Sequence, residues 1–281
     1  MNISRKLGIE IDRPEPSQQF LEARNIAGQV LQGQFQANGG TLPEHIDYKW
    51  IKAELTYPSF DHLTFAYGNQ VFSVLVELVD DGSSFLTQKE CDRCLDESEK
   101  NNLIPCAFRV DATSMTPISD GWNLIDLRSE ETVIPDQLIS DAKIPMSEWE
   151  LHNFAIQVVR QQIEDKKLGA ILSFSDVLGI DPQIWFEDDQ GNRNWVIVRH
   201  LQTIEEDEMQ KWIGLEKSNP QLRPYDGYFA AVSAASSEPF LYDLDGEHIP
   251  LSERFTGKAP LYRGDGFHIK YEGLQRVYVT P

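Results

Sequence analysis

The stretch Gly179-Ile180-Asp181-Pro182-Gln183-Ile184-Trp185-Phe186, followed by Glu187-Asp188-Asp189-Gln190 and then Gly191-Asn192-Arg193-Asn194-Trp195-Val196-Ile197-Val198-Arg199-His200, decides how the second half of this chain is read. Two short runs rich in aromatic and β-branched residues flank a polar, Gly-containing joint. That pattern predicts an antiparallel hairpin with strands at Gln183 to Glu187 and Asn194 to His200. Upstream, the apolar run Ala170 to Phe174 predicts a preceding strand. Before it, Ser147-Glu148-Trp149-Glu150 forms a capping box, in which the Ser hydroxyl accepts from an early backbone N–H and Glu150 reaches back. Leu151, Phe154, Ala155, Val158, Val159 and Ile163 then recur at helical spacing, and Lys166, Lys167 and Gly169 suit a helix C-terminus. Downstream, Thr203-Ile204-Glu205-Glu206 repeats the capping pattern and predicts a helix through Met209, Trp212 and Ile213 towards Pro220. Tyr228 to Ala235 predicts one more strand. The order is helix, three strands, helix, strand.

The first half carries the same order. Phe20, Ala23, Ala27, Val30 and Leu31 form a helical stripe after Ser17, closed by Gly39-Gly40. Tyr48 to Leu55 reads as a strand, and His62 to Tyr67 with Val71 to Val79 flank a tight turn at Gly68-Asn69-Gln70. Thr87-Gln88-Lys89-Glu90 caps a further helix, and Ile104 to Val110 reads as a strand. Asp111 to Pro145, rich in Pro, Ser, Asp and Thr with one strand-like run at Trp122 to Leu127, reads as the connection between halves. The tail adds strand-like runs around Phe267 to Tyr271 and Arg276 to Val279. The expected organisation is an α/β domain over 1–130 and a second over 140–281. The repeated order reads either as an internal duplication or as chance recurrence of a common α/β arrangement.

This order of elements, with the hairpin just quoted, resembles the core of the restriction-endonuclease-like superfamily, the PD-(D/E)xK nucleases, over about Ser147 to Ala235. The resemblance implies an Asp on the second strand and an acidic-x-Lys triplet on the third, which together hold Mg²⁺ or Mn²⁺, and a helical Glu that assists. Carried onto this chain it implies roles for Asp181, for Glu150 and for Arg199, which stands where the Lys belongs. It also exposes two departures. Residue 197, where the second acid belongs, is Ile197, and an aliphatic side chain supplies no oxygen to a hard cation. Arg keeps its proton at any working pH and cannot play a lysine's tunable part in activating water. In the first half Asp61 and Glu77 are sixteen positions apart, as are Asp181 and Ile197, with Val79 where a Lys is wanted. Neither half holds a full set. Each residue also has a plain reading: Asp181 before Pro182 as a turn starter, Glu77 as a solvent-facing or edge position, Arg199-His200 as a surface ion-pair position.

Composition narrows the classes. Forty-five Asp and Glu against 25 Lys and Arg leave a formal charge of -20, which repels a phosphate backbone and argues against ordinary nucleic-acid binding. The N-terminus, Met1 to Pro14, has no apolar core of a signal peptide, and Val71 to Val79 is too short to span a bilayer. The cysteines are Cys91, Cys94 and Cys106, a count that fits reduced thiols in a cytoplasm. Cys91-Asp92-Arg93-Cys94 lacks the remaining ligands of a structural zinc site, and Cys91, Cys94 and Leu95 share one helix face, so packed thiols are expected. Glu187-Asp188-Asp189 reads as a solvated hairpin tip, and Arg263-Gly264-Asp265-Gly266 as a turn. There is no phosphate-cradling Gly-rich loop with Lys, no Gly-x-Ser-x-Gly elbow and no His-Glu-x-x-His.

The expectation is therefore a cytoplasmic nuclease-type α/β protein with a degenerate site, no metal, and a protein as partner or a second copy as a homodimer. Two alternatives stay open. One is a Mg- or Mn-dependent nuclease with a rearranged site built from Asp181, Glu150 and acids of the Glu187 to Asp189 loop. The other is an unrelated α/β interaction protein.

Overall fold

The computed structural model describes residues 6–7, 17–38, 48–52, 63–80, 83–84, 86–201, 208–239, 241–242, 247–256 and 259–279. They fall into two compact units, one of residues 12–144 and one of residues 145–281 together with 1–11. The first described strand, β1 (Lys6–Leu7), belongs to the second unit. No helix among the described residues is long and apolar enough to cross a membrane.

The unit of residues 12–144 begins with α1 (Gln18–Asn38). Ala23, Ala27, Leu31 and Phe35 recur every fourth residue, lie on one face and are fully buried. Three strands follow, β2 (Tyr48–Lys52), β3 (Leu63–Tyr67) and β4 (Gln70–Asp80), paired antiparallel in that order. A two-residue strand, β5 (Ser83–Ser84), pairs with the end of β4. Next comes α2 (Gln88–Asn101), where Thr87 and Glu90 form the expected capping box, and then β6 (Ile104–Asp111), which lies parallel to β4. On β4, Phe72, Val74, Val76 and Leu78 face the α1 core, while α2 packs on the other side of the sheet through the Cys94–Ser73 contact. The α1 side is unusually aromatic. The Phe35 ring lies 5.1–6.3 Å from those of Tyr48, Trp50, Phe65, Tyr67 and Trp122. Such pairs contribute about 0.5–1.5 kcal/mol each beyond the burial of apolar area.

The stretch expected as a linker is part of this sheet. Strands β7 (Thr116–Pro117) and β8 (Leu124–Asp126) pair with β6, and β9 (Thr132–Val133) pairs with β8. The Asp136 carboxylate then ties the following turn back onto the core, accepting from Tyr67 Oη at 2.6 Å and Trp122 Nε1 at 3.0 Å. Burial and this bond together push the Tyr67 phenol well above its ordinary pKa.

The second unit opens on α3 (Glu148–Asp165), where Ser147 and Glu150 form the expected capping box. Strands β10 (Ala170–Phe174), β12 (Ile184–Glu187) and β13 (Arg193–His200) form an antiparallel meander, preceded at β12 by the short β11 (Ile180–Asp181), which pairs in parallel with β1. The helix expected from Thr203 to Pro220 is not continuous. Its capping residues lie outside the described residues; Glu208–Trp212 is a 3-10 turn, α4 (Leu215–Ser218) is a single turn, and Pro220–Leu222 is 3-10 again. Gly214, at φ +86°, breaks the run in a left-handed conformation that ends any helix through it. Strand β14 (Asp226–Ser236) lies parallel to β13 and is flanked antiparallel by β15 (Phe267–Tyr271) and β16 (Gln275–Tyr278).

Alternation along β13 sorts the two layers. Val196 and Val198 face α3 with Ile156, Val159 and Ile163, whereas Trp195 and Ile197 face Trp212, Leu215, Leu222 and Phe229. Both units therefore follow one plan: three antiparallel strands, a fourth parallel to the third, and a fifth antiparallel to the fourth.

Candidate functional site

In the second unit the hairpin quoted at the outset brings Asp181 and Arg199 together. Asp181 sits on β11 just before the β12 strand, and Arg199 lies near the end of β13, six residues after that strand begins at Arg193. The Arg199 Nη2 donates to Asp181 Oδ1 at 2.7 Å. Gln183, 1% exposed, completes the arrangement. Its amide nitrogen donates to Asp181 Oδ1 at 2.8 Å and to the Ile180 carbonyl, and its oxygen accepts from Val198 N at 2.8 Å and Arg199 Nη1 at 3.2 Å. Arg199 also donates to the Val198 carbonyl at 2.8 Å, and its guanidinium carbon lies over the Trp212 ring, 4.3 Å from its centroid. The guanidinium is thus held by oxygens and by an aromatic ring, a clamp that Lys could not reproduce.

Glu150 is engaged elsewhere. It caps α3 by accepting from Ser147 N at 2.9 Å, and it receives a bidentate pair from Arg263, at 2.8 Å and 2.7 Å. Both side chains of that pair are at most 5% exposed. Among the described residues Glu150 makes no hydrogen bond to Asp181 or Arg199, so the three expected site residues do not form one cluster. Arg263 lies in the turn expected from the sequence, with Gly264 at φ +83°, and from there it serves as this helical Glu's buried counter-ion.

Two residues after Glu150 on α3, His152 is 6% exposed, and its Nε2 has no hydrogen-bond partner among the described residues. Burial, reinforced by the Arg199 charge, lowers its pKa to about 4 against the opposing pull of Asp176 and Asp181. His200, on the α3 side of β13, is likewise held below its ordinary pKa by burial. Asp176 is occupied, accepting from Trp149 Nε1 at 3.1 Å and Asn153 Nδ2 at 3.3 Å.

The donor set does not fit a divalent ion. Ile197 is fully buried among Trp195, Trp212, Leu215 and Phe229, and Asp181 Oδ1 already accepts from two cationic or amide donors. The described residues hold no group of three His, Cys, Asp or Glu side chains placed for a metal. The Glu187 to Asp189 loop does not approach this site; Asp188 accepts from the N–H groups of Gln190 and Asn192, each at 2.9 Å, within its own turn.

The first unit repeats the theme with different residues. Glu77 is not a solvent-facing or edge position. It is 6% exposed on an interior strand and accepts from Arg109 Nε at 2.7 Å, its register partner on β6. Asp61 lies outside the described residues. The cysteines pack as expected: Cys94 and Cys106 are fully buried, Cys91 partly, and burial raises all three thiols above their ordinary pKa, which disfavours the reactive thiolate.

Sequence reasoning missed Gln183, Arg263, His152 and Trp212. For Gln183 a signal existed, since a lone amide between apolar Ile184 and the Asp181-Pro182 pair must find partners once buried.

The fold and site thus define a mixed α/β protein in which the buried acids Glu77, Glu150 and Asp181 are each matched by an arginine. Residues 149–277, under half of the 281, match the family model described as a domain of unknown function, DUF8840. No curated protein and no solved structure matches the chain.

Proposed function

We propose that this chain is a non-catalytic protein of restriction-endonuclease-like architecture, present in two copies of the same plan, and that it acts in the cytoplasm by binding another protein. The observation that carries the reading is the closed Asp181–Gln183–Arg199 arrangement, with Ile197 packed where a second acid would stand. Arg199 supplies as a tethered monocation the counter-charge that a nuclease takes from a divalent ion. It carries no exchangeable water to activate, so phosphodiester hydrolysis has neither its nucleophile nor its Lewis acid. The common strand order of the two sheets and the Glu77–Arg109 pair support the same reading for the first unit. The formal charge of -20 favours a basic protein surface over a nucleic-acid backbone as partner.

The test is incubation of the full chain with single- and double-stranded DNA and RNA plus Mg²⁺ or Mn²⁺. No turnover is expected. Cleavage that disappears in Asp181→Ala would instead establish the rearranged nuclease. Light scattering on a sizing column separates a homodimer from a monomer awaiting a different protein.

A further inference from the structure

The sheet of the second unit has two outer edges, and they are built differently. At one, β15 and β16 carry His268, Lys270 and Arg276, with Glu272 in the bend between them. Charged side chains on an outer strand deter pairing with another chain. At the other edge, β10 pairs only with β12 among the described residues, and Leu168 to Ser175 contains no charged residue. Of the twelve large apolar side chains exposed among the described residues, four fall on this edge and the loop after it: Leu168, Leu172, Val177 and Leu178. The register with β12 shifts between Ile171 and Ser173. That bulge turns Ile171 and Phe174 alike towards the α3 core and leaves Leu172 outside, 44% exposed. A bulge that guards an edge carries charge outward; this one carries a leucine.

The formal charge of -20 sets the condition that a second copy must meet here, which is to keep its acids clear. Antiparallel pairing of two β10 strands, with the two-fold axis at Leu172, meets it. Leu172 then faces Leu172, Ala170 faces Phe174, and Lys166-Lys167 of each copy lies beside the Asp176 end of the other. The acidic tip Glu187-Asp188-Asp189 sits at the lysine end of β10, since Ala170 pairs with Glu187. Between the two copies, the Glu187 backbones are offset by four residues along the strands and three strand spacings across them, roughly 20 Å. That is more than twice the screening length of about 8 Å at physiological salt. Parallel pairing would bring the tips to about 14 Å and set the lysines of one copy against those of the other. The antiparallel contact is self-complementary and closes at two copies, because the charged β15–β16 edge stops further addition.

We infer that this chain forms a two-fold homodimer by joining the β10 edges of its second unit into one continuous sheet. The inference does not rest on the reading of the Asp181 site, since a cleaving enzyme could pair in the same way; the cleavage assay and the mass measurement fail separately.

Light scattering on a sizing column, with the full chain at about 1 to 200 µM, tests it. A single strand edge lies at the small end of specific interfaces, so a species of twice the chain mass is expected with half-dissociation on the order of 10 µM. Leu172→Lys places two charges at the axis and should weaken association about tenfold or more, while Ile269→Lys, the same change on the guarded edge, should leave it unaltered. Both positions are exposed, and an unchanged urea midpoint verifies the fold of each variant. Amide exchange of the parent needs no variant: protection at residues 170–174 should rise with chain concentration. A parent that stays monomeric throughout would overturn the inference, as would a dimer indifferent to Leu172→Lys or exchange at 170–174 independent of concentration.

Discussion

Replacing Arg263 by Met isolates a buried charge in the second unit, that of Glu150, which is 5% exposed. The substitution keeps a long, largely apolar side chain but removes both donors that hold Glu150, at 2.8 Å and 2.7 Å. Removing one member of a buried pair commonly costs about 3–5 kcal/mol, because the other charge is left uncompensated. Here two features set the figure. Glu150 keeps one bond, from Ser147 N at 2.9 Å, and it can escape the penalty by taking up a proton. Protonating a carboxyl of ordinary pKa about 4.3 at pH 7 costs about 3.7 kcal/mol, so the charge penalty cannot exceed that figure. A loss of about 3 kcal/mol at pH 7 is expected. The ceiling falls by about 1.4 kcal/mol per pH unit, to about 1 kcal/mol at pH 5. Urea unfolding of parent and variant at both pH values, with amide exchange in α3 as a local probe, measures the difference. A loss below about 1 kcal/mol at pH 7 would refute the reasoning, as would one equally large at pH 5.

His152 predicts a pH dependence of its own. Its folded pKa of about 4 lies below the ordinary 6.5, so between those values the unfolded chain binds more protons and stability rises with pH. Up to about 3 kcal/mol is lost on acidification from pH 6.5 to 4, and His152→Leu should flatten that slope in urea midpoints. Gly227→Ala should destabilise the second unit by about 2 kcal/mol or more in the same assay, because a Cβ there would lie 2.0 Å from the fully buried Trp195 indole. Ser147→Ala removes the α3 cap and should cost about 1 kcal/mol, read as an earlier thermal transition of that unit.

The parts of this fold that could be read from sequence are those whose cause is local. The capping boxes at Thr87 and Ser147, the α1 stripe and the hairpins at 63–80 and 184–200 each follow from side chains within a few residues of one another. Of the stretch read as a connection, β8 was legible as the strand-like run at Trp122 to Leu127, whereas β7 and β9 were hidden because they are two-residue strands that exist through pairing such as Val110 with Pro117, which no local pattern reports. The broken helix before β14 was misjudged because its periodicity outweighed Gly214. At the site, Asp181 and Arg199 were visible as a pair of positions, but the bond between them is a property of the folded hairpin. The Glu150–Arg263 pair spans 113 residues, and Glu77 reveals its role only when β6 brings Arg109 alongside.

The packing around Arg199 and Ile197 also makes this arrangement hard to change one residue at a time. A mutation of Arg199 alone strands the carboxylate at 181, and Ile197→Glu alone pushes an acid into a dry layer of two tryptophans, a leucine and a phenylalanine. Each single-residue route towards an ion-binding pocket thus begins with a destabilised intermediate.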